Sequence, residues 1–261
     1  VFSESVDSGN PAAVCILKET EFNNTSLLQM IAKKINISEV TFLNLERSKF
    51  FIRWFSPTQE VDICGHGTIA GFKILKSMNL FTADESVEIQ SSKYNFKLKS
   101  NMDLNTISLQ LPIFSLQKKL PNELNNIIDV NLIERVSSSY LDYIVELDSL
   151  SKLKKININF SELLKVKKRG LIVTYAEIAK NEIFFRYFCP KLGFNEDPGT
   201  GSALSSLYSF WNKRLDFDKK ISFSQESERK SRGFVQKLVN EDFITIQTFV
   251  SSHYTKTIEI D

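Results

Sequence analysis

Two glycine-rich segments place ionisable side chains where a strand-like run gives way to a helix-like pattern. In the first, DICGHGTIAGF, His66 lies between Gly65 and Gly67 and follows Cys64. In the second, NEDPGTGSA, Asp197 comes shortly before a similar pair of glycines. A thiol, an imidazole and a carboxyl group can exchange protons near neutral pH when their surroundings shift their pKa values. Both segments are therefore candidates for proton-transfer chemistry.

The two segments belong to an internal repeat. The pattern Arg-aromatic-Phe-x-Pro occurs at 53–57 and again at 186–190, and a Gly-x-Gly-hydroxyl motif follows each copy. Matching the motifs makes Gly65 equivalent to Gly199 and Thr68 equivalent to Ser202. The motifs recur once, at a spacing far longer than the period of a solenoid repeat. They therefore indicate a duplication and not a solenoid. The sequence therefore predicts two related halves, 1–111 and 112–249, with 250–261 a candidate strand to complete the first.

Most of the remaining sequence is typical of strands. Runs such as GLIVTYA and DFITIQTFV are short, β-branched or aromatic, and bounded by polar breaks. Apolar residues recur at helical spacing after each glycine motif, and NTSLLQMIAKKIN and LPNELNNIIDV are further candidate helices. The pattern predicts an α+β fold with two β-rich halves, each with a helix packed on or inside its sheet.

A helix that begins with glycines can bind an anion. Its first backbone N–H groups lack partners, its dipole is positive at that end, and glycines let a ligand approach. We expect the two helix starts, Gly65 to Gly67 and Gly199 to Gly201, to hold a carboxylate between them, with Thr68 and Ser202 adding hydroxyl groups. The alternative is that both loops only cap their helices.

Composition excludes several classes of function. The chain has 261 residues and a net charge of +2, which argues against a nucleic-acid partner, and no apolar run is long enough to span a membrane. Three widely spaced cysteines, Cys15, Cys64 and Cys189, and two histidines do not suit a structural zinc site, and they fit a reducing, cytoplasmic location. Dinucleotide and Walker motifs are absent from the sequence, so we expect no nucleotide cofactor bound at such a motif, and the cysteine and histidine spacing leads us to expect no metal.

Four segments, in order along the chain, resemble the phenazine biosynthesis-like (PhzF-like) protein family, whose relatives include diaminopimelate epimerase. They are GNPAAVC (9–15), SEVTF (38–42), RWFSPTQEVDICGHGTIA (53–70) and RYFCPKLGFNEDPGTGSA (186–203). The resemblance implies two pseudo-symmetric β-barrel-like domains, each wrapped around a central helix, with the active site in the cleft between them. It also implies an isomerase that moves a proton at carbon in a small carboxylate substrate without a cofactor.

The resemblance assigns roles to individual residues. The acid/base of the family maps to Glu39, which the sequence alone suggests to be an exposed strand residue, and the preceding Ser38 maps to the substrate site. The histidine and aspartate of the family motifs map to His66 and Asp197. The closing glycine and serine of the second loop map to Gly201 and Ser202. If Glu39 is buried, the loss of solvation would raise its pKa toward the working range of a general base.

Two alternatives remain open at this stage. The first is an amino-acid epimerase that uses Cys64, although Pro198 stands where related epimerases have their second cysteine. The second is a non-catalytic protein that binds a small anion at the two helix starts. A homodimer is plausible from the resemblance, whereas the sequence itself shows no exposed apolar stripe that argues for one.

Overall fold

A computed structural model describes residues 1–3, 5, 7–46, 49–82, 85–101, 105–117 and 122–251. These residues form an α+β fold dominated by one long sheet. The strands are β1 (Ala13–Leu17), β2 (Val40–Glu46), β3 (Lys49–Phe55), β4 (Glu60–Val61), β5 (Val87–Gln90), β6 (Asn95–Asn101), β7 (Thr106–Pro112), β8 (Ile133–Ser138), β9 (Asp142–Leu147), β10 (Gly170–Glu177), β11 (Glu182–Phe188), β12 (Glu196–Asp197), β13 (Ile221–Gln225), β14 (Ser231–Lys237) and β15 (Phe243–Phe249). The helices are α1 (Glu19–Phe22), α2 (Thr25–Ile35), α3 (Gly65–Ser77), α4 (Leu150–Lys155), α5 (Phe160–Leu163) and α6 (Gly201–Trp211).

The strand pairing repeats within the sheet. β1 pairs with β2 in parallel, β2 with β3 antiparallel, β3 with β5 in parallel, and β6 lies between β5 and β7. The same sequence of parallel and antiparallel pairs runs from β9 through β10, β11, β13 and β14 to β15. The short strands β4 and β12 pair with β3 and β11. The repeat in the sequence is therefore also a repeat in the sheet, with β8 added at one edge.

The two sets of strands are joined along one seam. β7 pairs antiparallel with β15 over seven residue pairs, from Thr106–Phe249 to Pro112–Phe243. The sheet is consequently continuous through both halves. The predicted boundary at 112 and the predicted role of 250–261 stay predictions, because 252–261 lie outside the described residues.

Each half encloses one helix. Nine residues of α3 are buried, including every residue from Gly65 to Phe72, and ten of the eleven residues of α6 are buried. Both helices lie in the largest apolar cluster, which runs through strands of both halves. Such burial explains the small residues at the start of each helix, since they allow close approach to neighbouring backbone.

The structure differs from the sequence-based expectation in one segment of the second half. LPNELNNIIDV was predicted to be an amphipathic helix, whereas Asn122–Asn126 forms a short 3₁₀ helix whose following apolar residues pack into a smaller cluster. The predicted helix at NTSLLQMIAKKIN is α2, with Asn24 accepting a hydrogen bond from Leu27 N at its start. Within the described part of the chain, the helices are too short or too polar to cross a membrane.

Candidate active site

The first turns of α3 and α6 meet at a contact between two glycines. A Cβ atom added to Gly65 would lie 3.1 Å from Gly201 Cα, and one added to Gly201 would lie 3.3 Å from Gly65 Cα. Backbones this close leave little room for a side chain at either position. Because both turns are buried, the free N–H groups and the positive dipole ends of two helices come together at one place.

The structural repeat runs in a different register from the one that the glycine motifs predict. β4 ends at Val61 and α3 begins four residues later at Gly65, while β12 ends at Asp197 and α6 begins four residues later at Gly201. Gly65 therefore corresponds to Gly201, and its predicted match with Gly199 is wrong. The motif comparison failed because the loop between β11 and β12 is longer than the loop between β3 and β4.

Gly199 lies two residues before α6 and contributes through its backbone. Its carbonyl accepts a hydrogen bond of 3.0 Å from Asn10 Nδ2. A Cβ atom on Gly199 would lie 2.4 Å from Ser231 Oγ and 3.0 Å from Asn10 Cβ. The missing side chain thus makes room for the segment that carries Asn10, and the expected helix start at Gly199 to Gly201 begins only at Gly201.

An Arg–Glu pair holds the short strand that leads into each helix. Arg53 binds both carboxylate oxygens of Glu60 at 2.7 Å, and Arg186 binds those of Glu196 at 2.8 and 2.7 Å. Each arginine also lies near the phenylalanine two residues later, with 5.1 and 4.9 Å to the ring centres. The repeated Arg-aromatic-Phe pattern is therefore a structural element that positions the helix start.

Glu39 directly precedes β2 and reaches the N-terminal turn of α3. Glu39 is 7% exposed, and its Oε2 has no hydrogen-bond partner among the described residues but lies 3.7 Å from His66 Nε2. Burial, with the negative charge of Asp197 adding to it, raises the pKa of Glu39 to about 8. At neutral pH the carboxyl is mostly protonated, and it becomes a strong base once that proton is lost.

His66 is a neutral imidazole whose tautomer follows from its neighbours. Burial is the largest cause that lowers its pKa, to about 3. Nδ1 faces two groups that can donate, the Asn10 amide nitrogen at 3.2 Å and the Cys64 thiol at 3.4 Å, which assigns the imidazole proton to Nε2. Ser38 Oγ donates its own proton to Asn10 Oδ1 at 3.0 Å and therefore accepts from His66 Nε2 at 3.4 Å. The contact between His66 and Glu39 joins two neutral groups and is not an ion pair at pH 7.

Asp197 completes the set of predicted acid/base residues from the second half. Asn10 Nδ2 donates to Oδ1 at 2.8 Å, and the hydroxyl of Thr200 donates to Oδ2. Burial raises the pKa of Asp197 to about 6, against these hydrogen bonds, which lower it. Gln225 fixes the same loop by donating to Asp197 O and accepting from Thr200 N, both at 2.6 Å. Asp197 is therefore largely ionised at pH 7.

Ser202 lies in the first turn of α6 beside a buried ion pair. Its Oγ accepts a hydrogen bond of 3.2 Å from Arg169 Nη2. Arg169 binds the fully buried Asp142 through Nε at 3.1 Å and Nη2 at 2.7 Å, and Tyr187 donates to the same carboxylate at 2.8 Å. The serine oxygen thus accepts from the guanidinium, and within the described part of the chain no acceptor engages its proton, which is available to a ligand.

On the first-half side of the site, the Thr68 hydroxyl is already engaged and the Cys64 thiol is not ionised, in contrast to the available hydroxyl of Ser202. Thr68 Oγ1 donates to Cys64 O at 2.6 Å, so the expectation that Thr68 offers a hydroxyl to a ligand is wrong. Cys64 Sγ lies 3.4 Å from His66 Nδ1. Burial raises the pKa of the thiol well above its usual range, and the carboxylate of Glu39 adds to this effect. Cys64 is accordingly a thiol and not a thiolate at neutral pH.

The described residues contain one group that could ligate a metal ion. Ligand atoms of Glu39, Cys64 and His66 lie within 4.8 Å of one another. Cys64 lies against Nδ1 of the imidazole and Glu39 faces Nε2, so a single ion could use only one of the two nitrogens. A metal would also have to displace the protons of the thiol and the carboxyl group. That no metal takes part stays a prediction.

The sequence did not reveal three residues that link the parts of the site, namely Asn10, Arg169 and Asp142. Asn10 links Asp197, Gly199, His66 and Ser38, and its only signal was its place in GNPAAVC. Asp142 gave no signal, because it is a single charged residue at the start of a strand run, and Arg169 ends the basic run KVKKRG (165–170), which is typical of a solvated face or turn. The predicted residues themselves are all found at the meeting point of α3 and α6, on its two sides. They are Ser38, Glu39, Gly65, His66, Gly67, Asp197, Gly199, Gly201 and Ser202.

Known proteins are similar to this chain in sequence and in fold. A family model for phenazine biosynthesis-like proteins matches residues 1–246. An uncharacterised isomerase of Halalkalibacterium halodurans is 33% identical over 231 residues, which covers 87% of this chain and 85% of the relative. The crystal structure of an Enterococcus faecalis protein of the PhzF family is 28% identical, with a TM-score of 0.76, and covers 95% of this chain and 92% of its own.

The fold extends to more distant proteins. A hydroxyproline epimerase of Agrobacterium vitis, only 8% identical, superposes with a TM-score of 0.58 over 87% of this chain and 79% of its own. This likeness concerns the fold alone and confirms the predicted epimerase-like α+β architecture. The prediction of an isomerase-type enzyme is confirmed by the family and by its relatives' names. On the family model and on these relatives, the chain belongs to the phenazine biosynthesis-like (PhzC/PhzF) protein family.

Proposed function

We propose that the protein transfers a proton at a carbon atom next to the carboxylate of a small substrate, with Glu39 as the general acid/base. The observation that carries the proposal is the state of Glu39. It is a buried carboxyl group with one unpartnered oxygen and a pKa raised to about 8. A buried carboxyl oxygen without a hydrogen bond costs stability, so a catalytic use explains it better than a structural one.

The substrate carboxylate binds in what we term the anion cradle, the first turns of α3 and α6. N–H groups of both turns and the free proton of Ser202 donate to it. Charge on this carboxylate grows when a neighbouring carbon loses its proton, so donors that are already in place stabilise the transition state more than the ground state. The carboxylate therefore both anchors the substrate and accepts the electrons.

The reaction proceeds in two proton transfers. Ionised Glu39 removes a proton from carbon: the C–H bond breaks, an O–H bond forms on Glu39, and the electron pair moves onto the carboxylate oxygens. Glu39 then returns a proton to the same or another carbon of the delocalised intermediate, and the electron pair forms the new C–H bond. Atoms and electrons balance without an added reagent. A positioned base of this kind contributes about 10²–10⁴-fold.

His66 and Asp197 orient the substrate and assist the return of the proton. His66 offers a neutral Nε2–H on the side of Glu39, so it donates a hydrogen bond without adding positive charge. Asp197 is an ionised acceptor in the second half and is linked to His66 through Asn10. Ser38 supports the same link through Asn10 Oδ1.

Two alternatives have less support. An epimerase that uses Cys64 needs a thiolate, whereas burial raises the pKa of this thiol well above its usual range. A protein that only binds an anion does not require three ionisable side chains around an unpartnered Glu39 oxygen.

Deuterium exchange tests the proposal. The protein is incubated in D₂O with a panel of small carboxylates that includes cyclic dienes and amino acids, and the mass of each compound is followed. Glu39→Gln is the test variant. Glu226→Gln is the matched control, since this carboxyl is also buried but is paired with Lys154. We expect a gain of about one mass unit with wild type and the control, and at least a hundred-fold slower exchange with Glu39→Gln.

The outcome also separates the alternatives. Equal exchange by Glu39→Gln and wild type would refute the role of Glu39, and loss of exchange in Cys64→Ala alone would favour the epimerase that uses Cys64. Thermal stabilisation by carboxylates without any exchange would favour the non-catalytic anion-binding protein.

A further inference from the structure

Arg169 lies at the cradle but has no part in the proton transfers described above. It directly precedes β10 and is held there by a backbone hydrogen bond of 2.8 Å from its N–H to Leu141 O. Its guanidinium spends two N–H groups on Asp142 and a further one on Ser202. Among the described residues, Nη1 has no hydrogen-bond acceptor, and 14% of the side chain is accessible to solvent. The Nη1 group of Arg169 is therefore available to donate hydrogen bonds to a ligand.

The Arg169–Asp142 ion pair is buried and held by several neighbours, unlike an ion pair on the protein surface. Asp142 is fully buried and is held by Arg169 and by Tyr187. Gly170 follows Arg169, and a Cβ atom on it would lie 2.6 Å from Phe188 O and 2.8 Å from the Tyr187 hydroxyl. The absence of this side chain lets Tyr187, Asp142 and Arg169 pack together. The cluster places one guanidinium against the first turn of α6.

The charges around the site give this guanidinium a distinct role. Glu39, His66 and Cys64 are neutral at pH 7, whereas Asp197 is largely ionised, so these four groups together repel an anion. Arg169 is the nearby cationic side chain that lowers the pKa of both Glu39 and Asp197. Without it, two helix dipoles would have to offset Asp197 and the substrate charge together.

We propose that Arg169 and Ser202 form the anion-specific part of the cradle and fix the substrate's carboxylate on the α6 side, opposite Glu39. Arg169 Nη2 polarises the Ser202 hydroxyl, which donates to one carboxylate oxygen, and the free donor on Nη1 attracts the other. This inference rests on the proposed function for the identity of the anion, but it concerns binding and not proton transfer. It assigns a specificity-determining role to Arg169, selecting ligands with a carboxylate over neutral analogues of the same shape.

The proposal is tested with acetate and its neutral analogue acetamide as probes. Affinity is obtained from the rise in melting temperature with probe concentration, with sodium chloride at equal ionic strength as the reference. We expect wild type to be stabilised by acetate and not by acetamide. Arg169→Met is expected to weaken acetate affinity by about 10–100-fold, the range for loss of hydrogen bonds to a charged group. Arg169→Lys, which keeps the charge, is expected to recover part of that loss.

Arg214→Lys is the matched control. Arg214 also pairs with a buried carboxylate of β9, Glu146, and lies over the Trp211 ring, but at the opposite end of α6. It should bind acetate like wild type. If Arg169→Met fails to fold because Asp142 is left unpaired, the double variant Asp142→Asn/Arg169→Met removes both charges, and Ser202→Ala removes the contact without a charge change. Both should bind acetate more weakly than wild type.

Unchanged acetate affinity in Arg169→Lys and Ser202→Ala, equal stabilisation by acetamide, or no stabilisation of wild type at 100 mM acetate would each overturn the proposal. Glu39→Gln separates it from the proposed function, because this variant should lose deuterium exchange and keep acetate binding. If exchange proves independent of Glu39 while acetate binding depends on Arg169, the proposed function fails and the binding inference stands.

Discussion

The first turns of α3 and α6 occupy equivalent positions in the two halves, yet they carry different chemistry. In the register of the structure, His66 corresponds to Ser202, and Cys64, the residue before α3, corresponds to Thr200, the residue before α6. The first-half turn is surrounded by groups that burial keeps neutral, and one Glu39 oxygen has no hydrogen bond to any residue that the structure describes. The second-half turn is surrounded by fixed hydrogen bonds.

The difference shows how one backbone frame can serve two tasks. Groups that must gain and lose a proton need freedom from strong partners, because each partner would stabilise one protonation state. Groups that bind and orient need the opposite, and Asp197, Thr200 and Gln225 hold one another through short hydrogen bonds. Under the proposed function, the base that transfers the proton lies in the first half, and the second half mainly binds and orients the substrate.

The largest expected effect comes from placing in α3 the type of residue that α6 has at the equivalent position, the serine Ser202. His66→Ser removes the neutral imidazole beside Glu39, and we expect deuterium exchange to slow by about 100-fold. Ser202→Ala should slow it by about ten-fold or less at saturating substrate, since it removes one binding hydrogen bond. Initial rates of mass gain measure both. A larger loss in Ser202→Ala than in His66→Ser would reverse the division of tasks.

A second test concerns packing behind the first helix. Ala203 occupies the place in α6 that Gly67 has in α3. A Cβ atom on Gly67 would lie 2.5 Å from Thr41 Oγ1 and 3.0 Å from Cys64 Sγ. We expect Gly67→Ala to lower the free energy of unfolding by about 2 kcal/mol, a usual cost of overpacking. In a urea-denaturation double-mutant cycle, Thr41→Ala should recover about 1 kcal/mol of it. Strict additivity would contradict the packing described here.

A third test uses the pH dependence of stability. The pKa of Glu39 is about 8 in the folded protein and about 4.3 in an unfolded chain. As pH rises above the unfolded value, the unfolded chain releases this proton while the folded protein retains it, so the folded state loses stability until the pH passes about 8. Glu39→Gln should therefore gain stability relative to wild type between pH 5 and 9, by more than about 1 kcal/mol. Parallel urea-derived profiles for the two proteins would argue against a raised pKa.

The smallest expected effect is in the two Arg–Glu pairs. Arg53→Met and Arg186→Met should each cost about 0.5–1.5 kcal/mol in the free energy of unfolding. Arg186→Met should cost more, because Glu196 is less exposed than Glu60, while each arginine donates to two further oxygen atoms. Chemical denaturation resolves this difference. The reverse order would show that the two halves do not use the pair alike.

The sequence predicts the secondary structure and the repeated motif better than it predicts the register of the repeat. Strand runs, α2 and the duplicated Arg-aromatic-Phe pattern could be predicted because they depend on local propensity and spacing. The register of the repeat could not, because loops of unequal length separate the matched motifs, and the register is fixed by the spacing from β4 to α3 and from β12 to α6 and by the Gly65–Gly201 contact. LPNELNNIIDV was misassigned because its apolar residues contact a neighbouring cluster without forming regular helical turns.

The residues of the candidate site also differ in how well the sequence predicts them. His66 and Asp197 are recognisable beside glycine motifs, whereas Glu39 required a family resemblance, since burial, which decides its pKa, depends on tertiary packing. Arg169 and Asn10 act through distant partners: Asn10 binds Asp197, far along the chain, and Arg169 binds Ser202. Such contacts have no local pattern from which they could be inferred.

The seam between β7 and β15 gives the molecule an evolutionary reading. Equivalent strands that pair antiparallel form an isologous interface, the kind that a two-fold symmetric dimer makes with itself. The contact between Gly65 and Gly201 obeys the same two-fold relation. A dimer of identical halves would have carried the same side chain in both helix starts. A single polypeptide is free of that constraint, so the two helix starts can carry different side chains across a pseudo-two-fold axis.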